Sequence, residues 1–440
     1  MALDPSTPVL VGFGTAEQRE AQQVGPLDAA GLMVQAARTS LPPPLVDSVL
    51  PQVDWVGATQ GLTPYPDPGR LVADAIGATR ARTVLAKVGV MQQTLISRAS
   101  SLVQSGRVTL ALVVGGEARY REVRARAAGD EAQVTHQGSD VRPDEVLVPE
   151  AELVLRCEVE AGMRGAAAYY ALIESERRYR AGQSVDDNRK ELGALYARFS
   201  EIAAANPHAA RREVYSAEYL SSPSPDNPFL AFPYTKRMVS NWTVDQGAAL
   251  LFCSAATAER WGIARERWLF PVVGVESNHM VPVTARKNLT QPEAMRAMSR
   301  ACVQASGVDP SEIDLVDLYS CFPVAVKVAA DGLRIPAGHD LSVTGGMSFA
   351  GGPFNNYVLQ ALCRAAELLL EQRGSTALVS CVSGLYTKQG FTILATGPPE
   401  RSFSGQDVTA EASALEPPLA VDDHPTGPGT IAAATVLFDG

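Results

Sequence analysis

Apolar and polar positions along this chain fall into two series with the same order of elements. In the first, Val9 to Phe13 is an apolar run ended by Gly14, and Leu27, Ala30, Met33, Val34 and Ala37 share one face of a helix over 26–40. Val53 to Gly57 predicts a strand, a Pro/Gly loop fills 60–70, and a short helix starts at 71–76. Thr83 to Val88 is a short, partly β-branched apolar run, and Leu95, Ile96, Ala99, Leu102 and Val103 recur at helical spacing over 93–104. Ser105 and Gly106 stop that helix. Val108 to Val114 is then continuously apolar, as in a strand buried on both faces of a parallel sheet, and Gly115, Gly116 and Glu117 follow.

The second series opens with a strand at 268–275. It continues as helix 292–306, strand 313–318, helix 323–332, strand 341–343, helix 356–370 and strands 377–382 and 391–395. "RVTLALVVGGE" and "RGSTALVSCVSG" stand at equivalent places in the two series. The pattern predicts a duplicated α/β unit. Its first half takes residues 1–118 and 243–262, its second half 263–397. Residues 119–242 form an insertion: a charged, irregular run to about Pro149, helices at 166–180 and 188–205, and a proline-rich loop over 221–235. A buried strand over 243–253 closes it. The tail, 398–440, is rich in Pro, Gly and acid before the apolar run TIAAATVLFDG. That last strand needs partners, from elsewhere in the molecule, from further residues or from a second chain.

With 440 residues, 46% hydrophobic and 20% charged, the chain has ample material for a large core. A net charge of -10 argues against nucleic-acid binding by bulk electrostatics. No basic region precedes an apolar run at the N-terminus, and no apolar stretch is long enough to span a bilayer. The six cysteines are scattered without a CxxC pair, which reads as buried thiols in a reduced, cytoplasmic compartment. The five histidines show no metal-ligand spacing, so no metal is expected. Neither series carries a G-x-G-x-x-G turn, which disfavours a dinucleotide site. In open α/β sheets chemistry sits beyond strand ends, often at a helix N-terminus. The turn Val88–Gln92 is such a place, and it holds no nucleophile.

A duplicated core with an insertion in its first copy resembles the thiolase superfamily, and the resemblance covers nearly the whole chain. "ASSLVQSGRVTLALVVGGEA" and "NWTVDQGAALLFCS" resemble that family's core helix with its following strand and its closing strand. "DLYSCFPVAV", "TGGMSFAGGPFNNY" and "CVSGLYTKQG" stand where it carries its HDCF or NEAF, GHP and CxG motifs. The strings FPYTK, LYSCFP and GG-x-x-FAGGP are similar to those of actinobacterial thiolase-like proteins labelled acetyl-CoA acetyltransferase. The resemblance implies a five-layer α-β-α-β-α fold with a helical loop domain, and a coenzyme A thioester as ligand with no tightly bound cofactor.

Carried over residue by residue, the family's acyl-cysteine falls on Gly89, counted back from Gly106, and the GHP histidine on Gly352. The HDCF histidine falls on Tyr319. The CxG cysteine falls on or beside Cys381, with Ser383 at the motif glycine. A glycine cannot be acylated, so the covalent step is expected to be missing. Tyr319, Cys321 and Cys381 are the remaining candidates for chemistry; an inert buried thiol is an equal reading of Cys381. In the loop after 344, Gly346 and Gly351 could offer oxyanion-binding N–H groups or simply serve tight turns. Asn355 and Asn356 could meet a ligand carbonyl or cap the following helix. Residues 151–240 hold twelve Lys/Arg and twelve Asp/Glu, so Lys236 and Arg237 are candidates for coenzyme A phosphates or for a solvated surface. Tyr169, Tyr170 and Tyr179 read as packing, and Glu117 as a structural carboxylate. The resemblance leaves three functions open: an acyl-CoA-binding protein of lipid metabolism without Claisen activity, a cysteine-less aldolase-like C–C lyase using Tyr319 with a small OB-fold partner, or an acyltransferase using Cys381 or Cys321. Homodimerisation, common in the family, stays open.

Overall fold

The computed structural model describes residues 3–18, 27–422 and 424–438. Among them the strands are β1 (Pro8–Gln18), β2 (Trp55–Thr59), β3 (Arg82–Ala86), β4 (Leu110–Ala118), β5 (Glu145–Leu147), β6 (Phe229–Ala231), β7 (Tyr234–Thr235), β8 (Asp245–Ser254), β9 (Phe270–Ser277), β10 (Leu315–Asp317), β11 (Thr376–Ser383), β12 (Lys388–Ala395) and β13 (Ser404–Asp407). They build two mixed sheets, β1-β8-β4-β2-β3-β5 and β10-β11-β12-β9-β13, and the hairpin β6-β7. Helices Gln92–Gln104 and Tyr357–Glu371 lie between the sheets. Their buried faces, with Leu95, Ile96, Ala99, Val358 and Leu362, share one core with Val113 and Phe252 of the first sheet and Val379 and Cys381 of the second. Helices Ala29–Thr39 and Pro68–Ala75 cover the outer face of the first sheet; Pro292–Ser306 and Pro323–Leu333 cover the second. The result is five layers, helices alternating with sheets.

Close approach fixes some of these contacts. A Cβ on Gly274 of β9 would overlap Ser97 Oγ of the helix Gln92–Gln104. Gly115 lies inside β4, which runs on to Ala118 rather than stopping at Val114, because a Cβ there would meet Asn356 Oδ1 and Thr59 Oγ1 at 2.5 Å.

Three expectations are corrected. The run 341–343 is not a strand; it wraps a buried carboxylate. Asp317 Oδ2 accepts from Ser342 Oγ (2.8 Å), Val343 N (3.0 Å), Thr344 N (3.0 Å) and Thr344 Oγ1 (2.9 Å), while Tyr357 Oη donates to Oδ1 (2.8 Å). Backbone N–H groups that a strand would give to a ladder go to Asp317 instead. Second, the charged run after Glu117 is not all irregular: it forms an exposed helix, Arg119–Ala127, and the edge strand β5. β5 pairs in parallel with β3 and is held by Arg98 to Glu145 at 2.6 Å. Third, the tail from 398 supplies β13 to the second sheet and a helix, Thr409–Leu415. The last apolar run finds partners elsewhere in the molecule, one of the sources left open, in the insertion: Phe232 N donates to Val436 O (2.8 Å) and Phe438 N to Leu230 O (3.2 Å).

His208 ties the insertion to both halves. Its Nδ1 lies 2.9 Å from Glu17 of β1 and its Nε2 2.7 Å from Glu367 of the helix Tyr357–Glu371. Hydrogen bonds to Glu17 and then Glu367 raise the imidazole to about 9. A raised basic group stabilises the fold fully below its unfolded value and loses that contribution as pH rises through the folded value. The unfolded value is 6.5, so stability falls between there and about 9. Allowing for solvent at the partly exposed ring, the loss is about 2 kcal/mol. Thermal unfolding followed across this range should show the decline in the wild type and a flatter profile in His208→Gln.

Candidate functional site

The site forms where the N-terminus of the helix Gln92–Gln104 meets the end of β11, the loop after β2 and the loop preceding Tyr357. Gly89 sits in the turn that enters the helix, closed by Val90 N to Lys87 O at 3.0 Å. Its φ is +98°, which disfavours any side chain, and an added Cβ would lie 3.0 Å from Pro149 Cβ. Met91 and Gln92 then fill the helix start, both buried.

Gln92 is the hub of the site. Cys381 Sγ donates to Gln92 Oε1 at 3.0 Å, and Gln92 Nε2 donates to Asn355 Oδ1 at 2.6 Å. Asn355 Nδ2 donates in turn to Gln60 O at 3.2 Å. One carboxamide thus joins both halves of the duplication across the helix N-terminus. Ser383 Oγ donates to Gly89 O at 3.5 Å, so Gly89, Cys381, Ser383 and Asn355 are neighbours. The register count brings these four together; nothing in the sequence singles out Gln92, because a glutamine at a helix start is ordinary.

The position at Gly352 is closed as well. A Cβ there would overlap Ser240 Oγ, and Gly352 N donates to Asn241 O at 2.9 Å. Ser240 N donates to Cys321 O at 3.1 Å. The segment Ser240–Asn241, between β7 and β8, therefore occupies the space a histidine would need. Ser240 is the second residue that sequence reasoning missed; its nearest signal was the adjoining NWTVDQG string.

Tyr319 and Cys321 follow β10 at the seam between two hydrophobic clusters. Tyr319 N donates to Ser380 Oγ at 2.8 Å, and its ring meets Tyr357 edge-on with centroids 5.6 Å apart. Burial, then Cys321 and Cys381, push the Tyr319 phenol well above its usual value. Its hydroxyl has no hydrogen-bond partner among the described residues. Burial likewise pushes the Cys381 and Cys321 thiols up to about 12. Tyr170 is buried and its ring stacks on Phe322 with centroids 4.4 Å apart. Tyr169 is buried, but Tyr179 is 76% exposed and packs into no core.

The glycine loop spends its donors internally. Gly346 N donates to Ser342 Oγ (3.0 Å) and Thr344 Oγ1 (3.1 Å), and Met347 N to Ser320 Oγ (2.9 Å). Gly346 and Gly351 have φ of +75° and +110°, and a Cβ on Gly351 would overlap Gln246 Oε1. Turn geometry and packing account for both glycines, and the Gly346 N–H is not aimed at a ligand. Asn356 does not cap the following helix; its Nδ2 reaches Gln246 O at 3.5 Å. Glu117 Oε1 accepts from Leu62 N at 3.0 Å, fixing the loop that carries Gln60, and burial raises its carboxyl to about 8. Lys236 is exposed, and the Arg237 guanidinium lies 5.5 Å over the Tyr215 ring.

Cavities of about 470 and 480 Å³ lie elsewhere, one beside Asp314, His339 and Arg364, the other between Val34 and Leu71. Among the described residues no cluster of three metal-ligating side chains forms, and no helix is long and apolar enough to cross a membrane.

No protein-family model and no curated protein matches this chain. Solved structures do. A monomeric SCP2-thiolase-like protein type 1 from Mycobacterium smegmatis superposes with a TM-score of 0.83 at 27% identity, covering 99% of this chain and 88% of that one. The Ltp2–ChsH2(DUF35) aldolase matches with a TM-score of 0.66 at 16% identity over 90% of this chain and 99% of its own. Human mitochondrial 3-ketoacyl-CoA thiolase matches with a TM-score of 0.62 at 14% identity over 90% of this chain and all of its own (100%). The fold is the thiolase fold, and the chain belongs to the thiolase superfamily.

Buried thiols held near 12 are almost wholly protonated at neutral pH and should react slowly. Peptide mapping after brief iodoacetamide treatment should find the partly exposed Cys157 labelled at least about tenfold faster than the buried Cys381. Equal labelling of Cys381 would contradict the burial argument.

Proposed function

We infer that this protein is a thiolase-fold binder of acyl-CoA thioesters in acyl-CoA or lipid metabolism that forms no acyl-enzyme. The observation that carries the reading is the engagement of Gln92, the first residue at the N-terminus of the helix Gln92–Gln104, with Cys381 and Asn355 at once. A thiolase nucleophile must stand free at that N-terminus, with a base beside it. Here the nucleophile position is a positive-φ glycine under Pro149, and the base position is a glycine under Ser240.

An acyltransferase built on Cys381 or Cys321 is disfavoured by their chemistry. No cationic or basic group is hydrogen-bonded to either thiol among the described residues, and burial opposes the thiolate. A second reading, a C–C lyase on an acyl-CoA with a small partner protein, is favoured by one observation: the unpaired Tyr319 hydroxyl at the site. A phenol pushed well above its usual value keeps its proton, so it would donate to a thioester oxygen rather than act as a base. Copurification with an OB-fold protein, and a lyase activity lost in Tyr319→Phe, would select that reading.

Titration calorimetry with coenzyme A and acetyl-CoA tests the shared premise. Binding in the micromolar range, about -8 kcal/mol, is expected; failure of both to bind removes the reading. Introducing Gly89→Cys should not restore thiolysis of acetoacetyl-CoA, because the new side chain meets Pro149 and a backbone at φ +98°. A gain of about a thousandfold in that variant would show that only the nucleophile is missing.

A further inference from the structure

Lys388, the first residue of β12, is wholly buried, and its ammonium has one ion-pair partner among the described residues: Glu150 Oε2 at 2.6 Å. The partner's side chain is 53% exposed and comes from the segment after β5, at the edge of the other sheet. Register places the lysine in the site. Lys388 opposes Ser383 and Gly390 opposes Cys381 across the β11–β12 pair. Opposed residues of an antiparallel pair project to the same side, and alternation keeps 381 with 383 and 388 with 390. Ser383 reaches Gly89 O, and Gly89 lies under Pro149, the neighbour of Glu150. Gly89, Pro149, Glu150, Lys388 and Ser383 are therefore linked in a ring beside the helix start. Glu276, opposite Gly390 on the same face, is already engaged: its carboxylate accepts from Thr94 Oγ1 at 2.8 Å and Asn278 Nδ2 at 3.3 Å.

A buried ammonium is tolerated only when paired. This one is paired with a carboxylate that arrives from an exposed edge segment rather than from the framework around it. We propose that Lys388 is the anchor for an acyl-CoA whose acyl chain ends in a carboxylate, and that Glu150 holds that place in the unliganded protein. The proposal rests on the acyl-CoA reading above. The ligand carboxylate displaces Glu150, takes over its charge-assisted hydrogen bond, and draws the Pro149–Glu150 segment off Gly89. An acyl chain ending in a methyl group has nothing to offer Lys388, leaves the Glu150 pair intact and binds more weakly.

The test is titration of the full chain with succinyl-CoA and with valeryl-CoA, which differ at the end of a chain of similar length. Succinyl-CoA should bind several-fold tighter, because the ligand carboxylate takes over the bond to Lys388 while the displaced Glu150 regains water at its exposed edge. Lys388→Met should abolish the preference, and Glu150→Gln should tighten succinyl-CoA several-fold while leaving valeryl-CoA unchanged. Equal affinities, or a preference that survives Lys388→Met, overturn the proposal and leave acyl-CoA binding standing. If neither ester nor coenzyme A binds, the underlying reading fails as well. Should Lys388→Met not fold, the Glu150→Gln arm decides alone, and an unchanged succinyl-CoA affinity overturns the proposal.

Discussion

Two helices are buried between the sheets, and the start of one of them, Gln92–Gln104, has to be closed by something. The first backbone N–H groups of any helix lack partners within it, and they carry partial positive charge. In an enzyme that charge is useful when a reactive group is left standing there. In this protein Gln92 is the first residue of that helix, and its carboxamide takes a hydrogen bond from Cys381 and gives one to Asn355. The three residues come from the two halves of a duplicated fold, so the same contact fastens the halves to each other. Asp317 supports this contact. By gathering Ser342, Val343, Thr344 and Tyr357 around one carboxylate, it sets the path of the loop that delivers Asn355.

On the proposed reading, the site departs from a thiolase's by more than a single substitution. Gly89 is covered by Pro149 from an edge segment, and Gly352 is covered by Ser240 from the insertion. Both positions where side-chain chemistry would have stood are now places where backbone approaches backbone or a small side chain closely. The polar groups that remain, Tyr319, Cys321 and Cys381, all hold their protons more firmly than usual because burial disfavours the charged forms. Such groups suit donation to a bound oxygen and do not suit attack or proton removal near neutrality. These constraints together support the proposed reading of binding without covalent transfer.

The fold was legible because its signals are local. Helical spacing at Leu95, Ile96, Ala99 and Val103, the continuous run before Gly115, and the repetition of both in the second half needed no long-range information. The stretches misjudged were those whose structure is decided elsewhere in the chain. Leu341 to Val343 look like a strand but answer to Asp317, and Glu145 to Leu147 look irregular but are recruited by the open edge of β3. For the site, counting from Gly106 pointed to Gly89 and the glycine-rich string to Gly352, and each of these glycines lies against a close neighbour. What replaced the lost groups was hidden. Gln92 meets Asn355 and Cys381 across 263 and 289 positions, and no motif marks contacts of that range.

The most direct test of the account is the intact mass of the protein after incubation with acetyl-CoA at neutral pH. The account predicts an unmodified mass, with acetyl-CoA recovered unchanged. A stoichiometric acetyl adduct that disappears in Cys381→Ala or Cys321→Ala would contradict it, because it would mean that one of these buried thiols performs the covalent step the site is built without.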